Sequence, residues 1–535
     1  MIQKLASRLL GENVVSSAPI VRGVALSYGD LLVSIVVTLL LTPVILRYIG
    51  QSAYGLWATF GSVVGYFGLF DFGMNYATVK YTAEYHAKSD TEALSRLVST
   101  MVLGIGSVGL AIIIISFGLI PLIPRMFHLP ASLVSTGQIA FVIMASNVAL
   151  GLVAGTFNNV IYGFQRVDVI KAFGIIQSTT NACLTLLLLR RGFGLIGVVL
   201  ATSVAVFTLL LLSLAFLYKS KYGIAIRPRY AGVRTLKEIA PYSFRSFILG
   251  LTAQLLYRTD NIVIGIFLTV AAVTPYSIAY KLCYLGAMVM FKVSDTLLPT
   301  FTRLYTLGEM DGLRALYVRT ARIAVTLIVP FALILVFAGR GLIDLWVGDK
   351  NFVGQSVLLV LVLMDFIHAT SGPAGQLLQA VGKNKEFTYS AIVDAALNLG
   401  LSIFLCRKIG LIGVALGTLI AHLLTDTWVV IWLACKYISL PLRTYFVKGI
   451  LPPLLSGVPA GLITWLLFSN FSERGFVLVG LKSFCIVGVF LATVLIFEQS
   501  PQLRLGAAPT GISLLVAEER DVSKVAKNEG AASPW

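Results

Sequence analysis

The chain of 535 residues is 57% hydrophobic and only 12% charged, with a mean hydropathy of +0.89. Soluble globular domains carry about 25% charged residues, so this composition excludes a soluble enzyme and a disordered chain. Five scattered cysteines exclude a disulfide scaffold. Long apolar segments recur along the whole sequence, as membrane-spanning helices require. The sequence therefore predicts an all-α polytopic membrane protein.

Fourteen apolar segments are long enough to cross a bilayer, for which about 20 residues are needed. Their expected limits are 23–46, 54–79, 98–122, 136–160, 168–189, 194–217, 242–267, 272–298, 318–338, 354–379, 387–406, 411–434, 445–468 and 475–497. The seventh segment is the weakest because it contains Arg245, Arg258 and Asp260. Twelve or thirteen spans are therefore the alternative.

Lys and Arg residues are distributed unevenly between the two sides of the predicted bundle. Of the 41, 27 lie in or next to the tails and loops on the side of the N-terminus, nine lie on the other side and five lie within spans. Because basic residues concentrate in cytoplasmic loops, both termini are expected in the cytoplasm. The same rule accounts for the net charge of +17 without a nucleic-acid partner.

The chain contains an internal repeat. Residues 191–205 (RGFGLIGVVLATSVA) and 407–421 (RKIGLIGVALGTLIA) share the sequence GLIGV, at the starts of spans six and twelve. Six intervening spans preserve orientation, so the halves should be related by an axis along the membrane normal, as in transporters that work by alternating access. The predicted units are an N-terminal six-helix lobe over 1–217, a basic cytoplasmic linker over 218–241, a C-terminal six-helix lobe over 242–434, two further helices over 445–497 and a polar cytoplasmic tail over 498–535.

Polar residues follow one helical face in spans one, two, seven and eight, which are equivalent pairs under the repeat. They are Ser27, Asp30, Ser34, Thr38 and Thr42; Thr59, Ser62, Tyr66, Asp71 and Asn75; Gln254, Arg258, Asn261 and Gly265; and Lys281, Tyr284, Met288, Lys292 and Asp295. Ser and Thr stripes can also serve helix packing. We expect these faces to line a wet cleft between the lobes.

A charge at the bilayer centre costs about 2.5–3.5 kcal/mol, so each one requires an explanation. Lys292 and Asp295 are three residues apart and could simply pair. Arg258 and Lys281 have no such neighbour, and cations in a cleft favour an anionic substrate. The expected cationic substrate-binding residues are Arg258, Lys281 and Lys292; the expected lining or coupling residues are Asp30, Asp71, Asn75, Gln254, Asp260, Asn261, Tyr284 and Asp394.

Spans ten to twelve carry further titratable residues: Asp365, His368, Asp394, His422 and Asp426. They could relay protons or bind a cation, although His422 and Asp426 are four apart and could simply pair. The sequence has neither a zinc motif nor a nucleotide-binding motif, so no cofactor is expected. Coupling to a Na⁺ or H⁺ gradient, or to the membrane potential, is a hypothesis; one charge yields about 2.3 kcal/mol per 100 mV.

Two stretches carry a resemblance to a known family. Residues 48–81 contain YGLW followed by LFDFGM, and residues 257–282 read YRTDNIVIGIFLTVAAVTPYSIAYKL. These resemble the polysaccharide-biosynthesis flippases of the multidrug/oligosaccharidyl-lipid/polysaccharide exporter superfamily. The resemblance implies two lobes in a V shape. It also implies transport of a polyprenyl-diphosphate-linked oligosaccharide from the cytoplasmic to the outer leaflet of a bacterial inner membrane, for lipopolysaccharide or exopolysaccharide export.

The resemblance further implies that Arg258 and Lys281 bind the diphosphate, and that the lipid bilayer, a polysaccharide polymerase and export machinery are partners. Fourteen spans exceed the twelve that many O-antigen flippases have, which leaves the exact substrate open. A multidrug or cation antiporter of the same superfamily is the nearest alternative. A polytopic glycosyltransferase or polysaccharide polymerase is the alternative from another class, although the short outer loops leave little room for catalytic groups.

Overall fold

The computed structural model describes residues 18–220, 222–469, 471 and 475–499, which form helices and turns with no β-strand. The helices are α1 (Ala18–Phe67), α2 (Met74–Ala87), α3 (Thr91–Leu119), α4 (Ala131–Gly163), α5 (Val167–Arg190), α6 (Gly194–Lys219), α7 (Val233–Phe267), α8 (Val270–Thr306), α9 (Met310–Val347), α10 (Gln355–Ala380), α11 (Asn384–Ile409), α12 (Leu411–Tyr437), α13 (Leu442–Phe468) and α14 (Phe476–Gln499). The predicted polar tail lies outside the described residues, apart from its first two positions.

The prediction of an all-α polytopic membrane protein is confirmed. Eleven helices in the described part of the chain are long and apolar enough to span a membrane. One of them covers most of the first two predicted spans, because Gly50 (φ 79°, ψ 171°) breaks α1 into two arms without an intervening loop. The remaining predicted spans, seven and eight, correspond to α7 and α8, the helices that carry Arg258, Asp260 and Lys281.

The second predicted span contains a break that the hydrophobic pattern does not show. The chain leaves α1 through a short 3₁₀ turn, after which Phe72 (φ 49°) and Gly73 (φ 75°) both take the left-handed conformation. Left-handed backbone is strained for phenylalanine but not for glycine. Gly73 is also required by packing, since a Cβ there would collide with the carbonyl of Ser243 in α7.

The two halves of the chain use the same helix pairings. In the first half α1 packs on α5, α2 and α3 pack on α4, and α6 packs on α4 and α5. In the second half α7 packs on α11, α8 and α9 pack on α10, and α12 packs on α10 and α11. The helices α13 and α14 pack on each other and on α9. A repeated pairing set with an offset of six spans is what the internal repeat predicts.

The repeated GLIGV sequence makes equivalent contacts in both halves. Gly197 and Gly413 bring α6 and α12 against the preceding helix: a Cβ at Gly197 would lie only 3.1 Å from Leu188 Cβ, and a Cβ at Gly413 would collide with the Leu405 carbonyl. Beyond them, Thr202 Oγ1 donates to Asn181 Oδ1 at 3.3 Å. In the second half, Thr418 Oγ1 lies at the same 3.3 Å from Asn398 Oδ1. The repeat therefore encodes the same helical hairpin twice, once as α5 and α6 and once as α11 and α12.

The two halves meet mainly where α1 contacts α7 and α8. A buried apolar cluster crosses this interface and includes Leu41, Tyr54, Val263 and Tyr276. We call the side of the bundle that carries Gly50 the Gly50 end, and the side that carries the connection between α6 and α7 the linker end. That connection is shorter than the predicted linker, because α6 continues to Lys219 and α7 already begins at Val233.

Candidate functional site

The polar faces of spans two and seven meet each other directly. Tyr66 and Thr259 hydroxyl oxygens lie 2.8 Å apart, and Asn261 Nδ2 donates to Ser62 Oγ at 3.2 Å. The backbone carbonyl of Gln254 accepts a 3.3 Å hydrogen bond from Tyr66 Oη. These contacts run along the α1–α7 interface between the halves, so the polar stripe of span two is satisfied by α7 over this length.

Arg258 reaches across the interface to the first half. Its Nη1 donates to the Gly61 carbonyl at 3.1 Å, and its side chain is exposed. Gly65 makes room for the guanidinium, since a Cβ there would lie 2.8 Å from Arg258 Cδ. Within the described residues, Arg258 forms no ion pair with a carboxylate. It is therefore a cation whose charge no described carboxylate neutralises.

Lys281 also crosses to the first half, nearer the Gly50 end. Its Nζ donates to Tyr54 Oη at 2.7 Å and lies 5.1 Å from the Tyr54 ring centroid and 5.4 Å from that of Trp57. Aromatic faces attract a cation through the ring quadrupole. Tyr54 and Trp57 belong to the YGLW motif, but nothing in that motif indicates that they contact Lys281. This ammonium group likewise forms no ion pair with a described carboxylate.

Asp260 points away from the interface, into the second half. Its Oδ2 accepts a 2.5 Å hydrogen bond from Tyr276 Oη, and Thr418 Oγ1 lies 3.1 Å from its Oδ1. Residues two apart on a helix face in different directions, which separates Asp260 from Arg258. Asp260 and Arg258 were both expected to line one cleft. They instead lie in two environments: Arg258 at the interface between the halves, and Asp260 behind it.

Asp394 lies in this second environment. Its Oδ2 is 2.7 Å from His422 Nδ1, and the two side chains are 0% and 2% exposed. The ring of His368 stands edge-on to that of His422, with centroids 4.5 Å apart. A cavity of about 30 Å³ adjoins the group and is lined by Asp260, Asn261, Tyr276, Tyr280, Met364, His368, Thr418 and His422. We call these residues together with Asp394 the second-half polar cluster.

The acidic residues of spans one and two are held within the first half. Asp30 Oδ2 lies 3.0 Å from Lys171 Nζ of α5. Asp71 Oδ1 accepts a 2.9 Å hydrogen bond from the Gly73 amide and so supports the helix break. Asn75 follows at the start of α2, and its buried Oδ1 has no hydrogen-bond partner among the described residues. Each of the two carboxylates therefore has a structural partner.

Two further expected residues complete the set. Tyr284 is 39% exposed and its ring stacks on that of Tyr280, with centroids 6.0 Å apart. The side chains of Lys292 and Asp295 lie outside the described residues, so their expected pairing stays a prediction. Sequence reasoning missed Tyr276, Tyr280 and Thr418 as members of the cluster, because a neutral hydroxyl in a span is usually a packing residue.

The fold and the site together define a class of protein. Two halves with the same helix pairing, polar side chains at their interface and buried charges in the spans are features of secondary transporters. Residues 20–305 match the family model described as "Polysaccharide biosynthesis protein". This match covers more than half of the chain, and the chain belongs to that family.

Individual relatives are distant. The chain is 21% identical over 411 residues to the protein named "Probable flippase AglR" of Haloferax volcanii, covering 76% of this chain and 81% of that one. Among solved structures it is similar to the lipid II flippase MurJ in an inward closed conformation (14% identity, TM-score 0.69, 89% of this chain and 99% of that chain). It is also similar to an inward-facing multidrug resistance MATE family transporter, with 16% identity and a TM-score of 0.68; the match covers 75% of this chain and 94% of that chain. At these identities the structural matches bear on the fold alone.

Proposed function

We propose that the protein is a flippase that moves a polyprenyl-diphosphate-linked oligosaccharide from the cytoplasmic to the outer leaflet by alternating access. The observation that carries the proposal is the pair Arg258 and Lys281: each extends from the second half to the first, and neither is ion-paired with a described carboxylate. Two such cations in a membrane favour a ligand with several negative charges, and a diphosphate has them. The family description, "Polysaccharide biosynthesis protein", and the name of the Haloferax relative, a probable flippase, support the proposal.

The proposed setting is the bacterial inner membrane, with both termini in the cytoplasm, as the Lys and Arg distribution favours. The Gly50 end then faces outwards. The chain would work beside a polysaccharide polymerase and export machinery, which take up the translocated glycan. A multidrug antiporter is less well supported, because a cation substrate would be repelled by Arg258 and Lys281.

The test is leaflet translocation in proteoliposomes of a fluorescent polyprenyl-diphosphate oligosaccharide. We expect Arg258→Ala and Lys281→Ala to slow translocation at least tenfold, since each removes a charge-assisted contact worth about 1.5–3 kcal/mol. Arg191→Ala is the matched control, because Arg191 is an exposed cation at the Gly50 end outside the interface. Undiminished translocation in both variants would show that Arg258 and Lys281 do not form the substrate site. A folded wild type that moves no such lipid would overturn the proposed function.

A further inference from the structure

The second-half polar cluster carries titratable groups that the binding of a diphosphate does not use. The groups that face His422 are Asp394 from α11, His368 from α10, Asp260 from α7 and Tyr276 and Tyr280 from α8. Asp365 lies one turn before His368 in α10, against Gly286 of α8. The side chain of Asp426, one turn after His422, lies outside the described residues.

At the positions equivalent to His422 and Asp394, the first half has neither an imidazole nor an acid. Counted from the shared GLIGV sequence, the counterpart of His422 is Val206; counted from Asn181 and Asn398, the counterpart of Asp394 is Gln177. The hairpin geometry is nevertheless the same in both halves. Val206 and Gln177 are sufficient for this fold in the first half. Folding alone therefore does not require His422 and Asp394 in the second half.

The cluster is also unsatisfied as it stands. Asp394 Oδ1 in the cluster, and Asn398 Nδ2 one turn further along α11, are buried without a hydrogen-bond partner among the described residues. Buried polar groups without partners are costly, which singles out positions with a role beyond stability. The adjoining cavity of about 30 Å³ has room for water, since one water needs about 10–15 Å³. Water there could bring a proton to the pair.

We propose that the His422–Asp394 pair is a proton-binding site that couples translocation to a proton gradient. This deepens the proposed function and rests on it. Proton uptake converts a neutral imidazole beside a carboxylate into an imidazolium–carboxylate pair, so the pair goes from one net negative charge to zero, and the proton is released to the other side later in the cycle. Histidine suits this role because its ordinary pKa lies within the physiological range.

A metal ion suits the cluster less well. No group of three or more His, Cys, Asp and Glu residues placed to hold a metal ion occurs in the described part of the chain. His422 Nδ1 already engages Asp394 Oδ2, so this oxygen is not open to a metal ion. Asp30 and Asp71 are less suited to proton coupling, because Lys171 and the Gly73 amide engage them.

The cluster is placed to influence the interface between the halves. Asn261 lines the cavity and also donates to Ser62 of the first half. Tyr280 lines the cavity and directly precedes Lys281, which contacts Tyr54. A change of charge at His422 therefore acts on α7 at Asn261, which contacts α1 itself, and on α8 at Tyr280, which is next to the contacting residue Lys281. Protonation would bias the halves between two arrangements.

The test uses the same proteoliposomes with the membrane potential clamped. A gradient of one pH unit is equivalent to about a tenfold change in equilibrium distribution per proton. We expect wild type to accumulate the fluorescent lipid about tenfold in one leaflet under that gradient, and to show no accumulation under a Na⁺ gradient at constant pH. His422→Gln and Asp394→Asn should still exchange the lipid between leaflets but without accumulation. His86→Gln, an exposed histidine at the linker end, should accumulate it as wild type does.

Accumulation that persists in both cluster variants, or that follows the Na⁺ gradient instead, overturns the proposal. A second measurement does not depend on the substrate. Hydrogen exchange of the segments around Asn261 and Lys281, corrected for the intrinsic effect of pH, should differ between pH 6 and pH 8 in wild type and not in His422→Gln. If wild type moves no lipid but shows this difference, the proposed substrate fails and the proton site stands. If the difference is absent in wild type, the proton site fails.

Discussion

Lys281 Nζ and Tyr54 Oη lie 2.7 Å apart and join the second half of the molecule to the first near the Gly50 end. Close by, Thr274 Oγ1 donates to the Gln51 carbonyl at 2.6 Å, and Trp346 Nε1 donates to the Leu39 carbonyl at 2.7 Å. All three bonds link residues of different halves. They must break for the halves to separate at this end, so the Lys281–Tyr54 contact stabilises the closed arrangement directly.

Tyr54→Phe should weaken closure at the Gly50 end. The substitution removes the hydroxyl acceptor of Lys281 and keeps the ring, so it isolates a hydrogen bond to a charged group worth about 1.5–3 kcal/mol. We expect hydrogen exchange in the segment around Tyr54 to rise about tenfold or more. Tyr48→Phe, at an exposed tyrosine of the same helix, is the control. Equal protection in Tyr54→Phe and wild type would show that the contact does not hold the halves together.

Gly55→Ala should destabilise the interface more than a surface substitution does. A Cβ at Gly55 would collide with the carbonyl of Val270 in α8, and a backbone group cannot move aside as a side chain does. Overpacking typically costs about 1–3 kcal/mol. We expect a lower Tm in detergent and loss of translocation. Gly106→Ala in α3 meets nothing within 4 Å and should be neutral or slightly stabilising, because alanine favours helix. Equal Tm values for the two variants would contradict this packing.

The helices were predictable because their pattern is long and repeated. Each predicted span is helical over most of its length, although the second is interrupted after Phe67, and the GLIGV repeat predicted that the two halves are related. The break at Phe72 and Gly73 was not predictable from hydropathy, because it depends on local backbone conformation and on the close approach of α7.

The charged residues of the candidate site could be picked out from the sequence, but their arrangement could not. In-span charges identified Arg258, Lys281, Asp260 and Asp394, since each is costly in a bilayer. Helical periodicity could not show that Asp260 faces Tyr276 behind the interface while Arg258 faces Gly61 across it. That division depends on which helix packs on which face, and this information lies in tertiary contacts between residues far apart in the chain.

Asp30→Asn should destabilise the first half by leaving Lys171 without its carboxylate. The pair is partly exposed, at 22% and 30% of the two side chains, so we expect a loss of about 1–3 kcal/mol, between the values for exposed and buried pairs. The exchanged variant Asp30→Lys with Lys171→Asp should recover most of the Tm and the translocation. A stable exchanged variant that loses only its response to a proton gradient would instead place ion coupling at Asp30.

Lys482→Met should leave translocation intact. Lys482 of α14 is 5% exposed, and its Nζ donates to the Phe337 carbonyl of α9 at 3.3 Å, away from the interface between the halves. Replacing a buried charged group by an apolar one of similar volume is often neutral or stabilising. We therefore expect an equal or higher Tm and an unchanged translocation rate, whereas Lys482→Glu should lower the Tm because its carboxylate would face the same carbonyl. Loss of translocation in a stable Lys482→Met variant would give α13 and α14 a part in substrate transport, since packing of α14 on α9 would then be preserved while function is not.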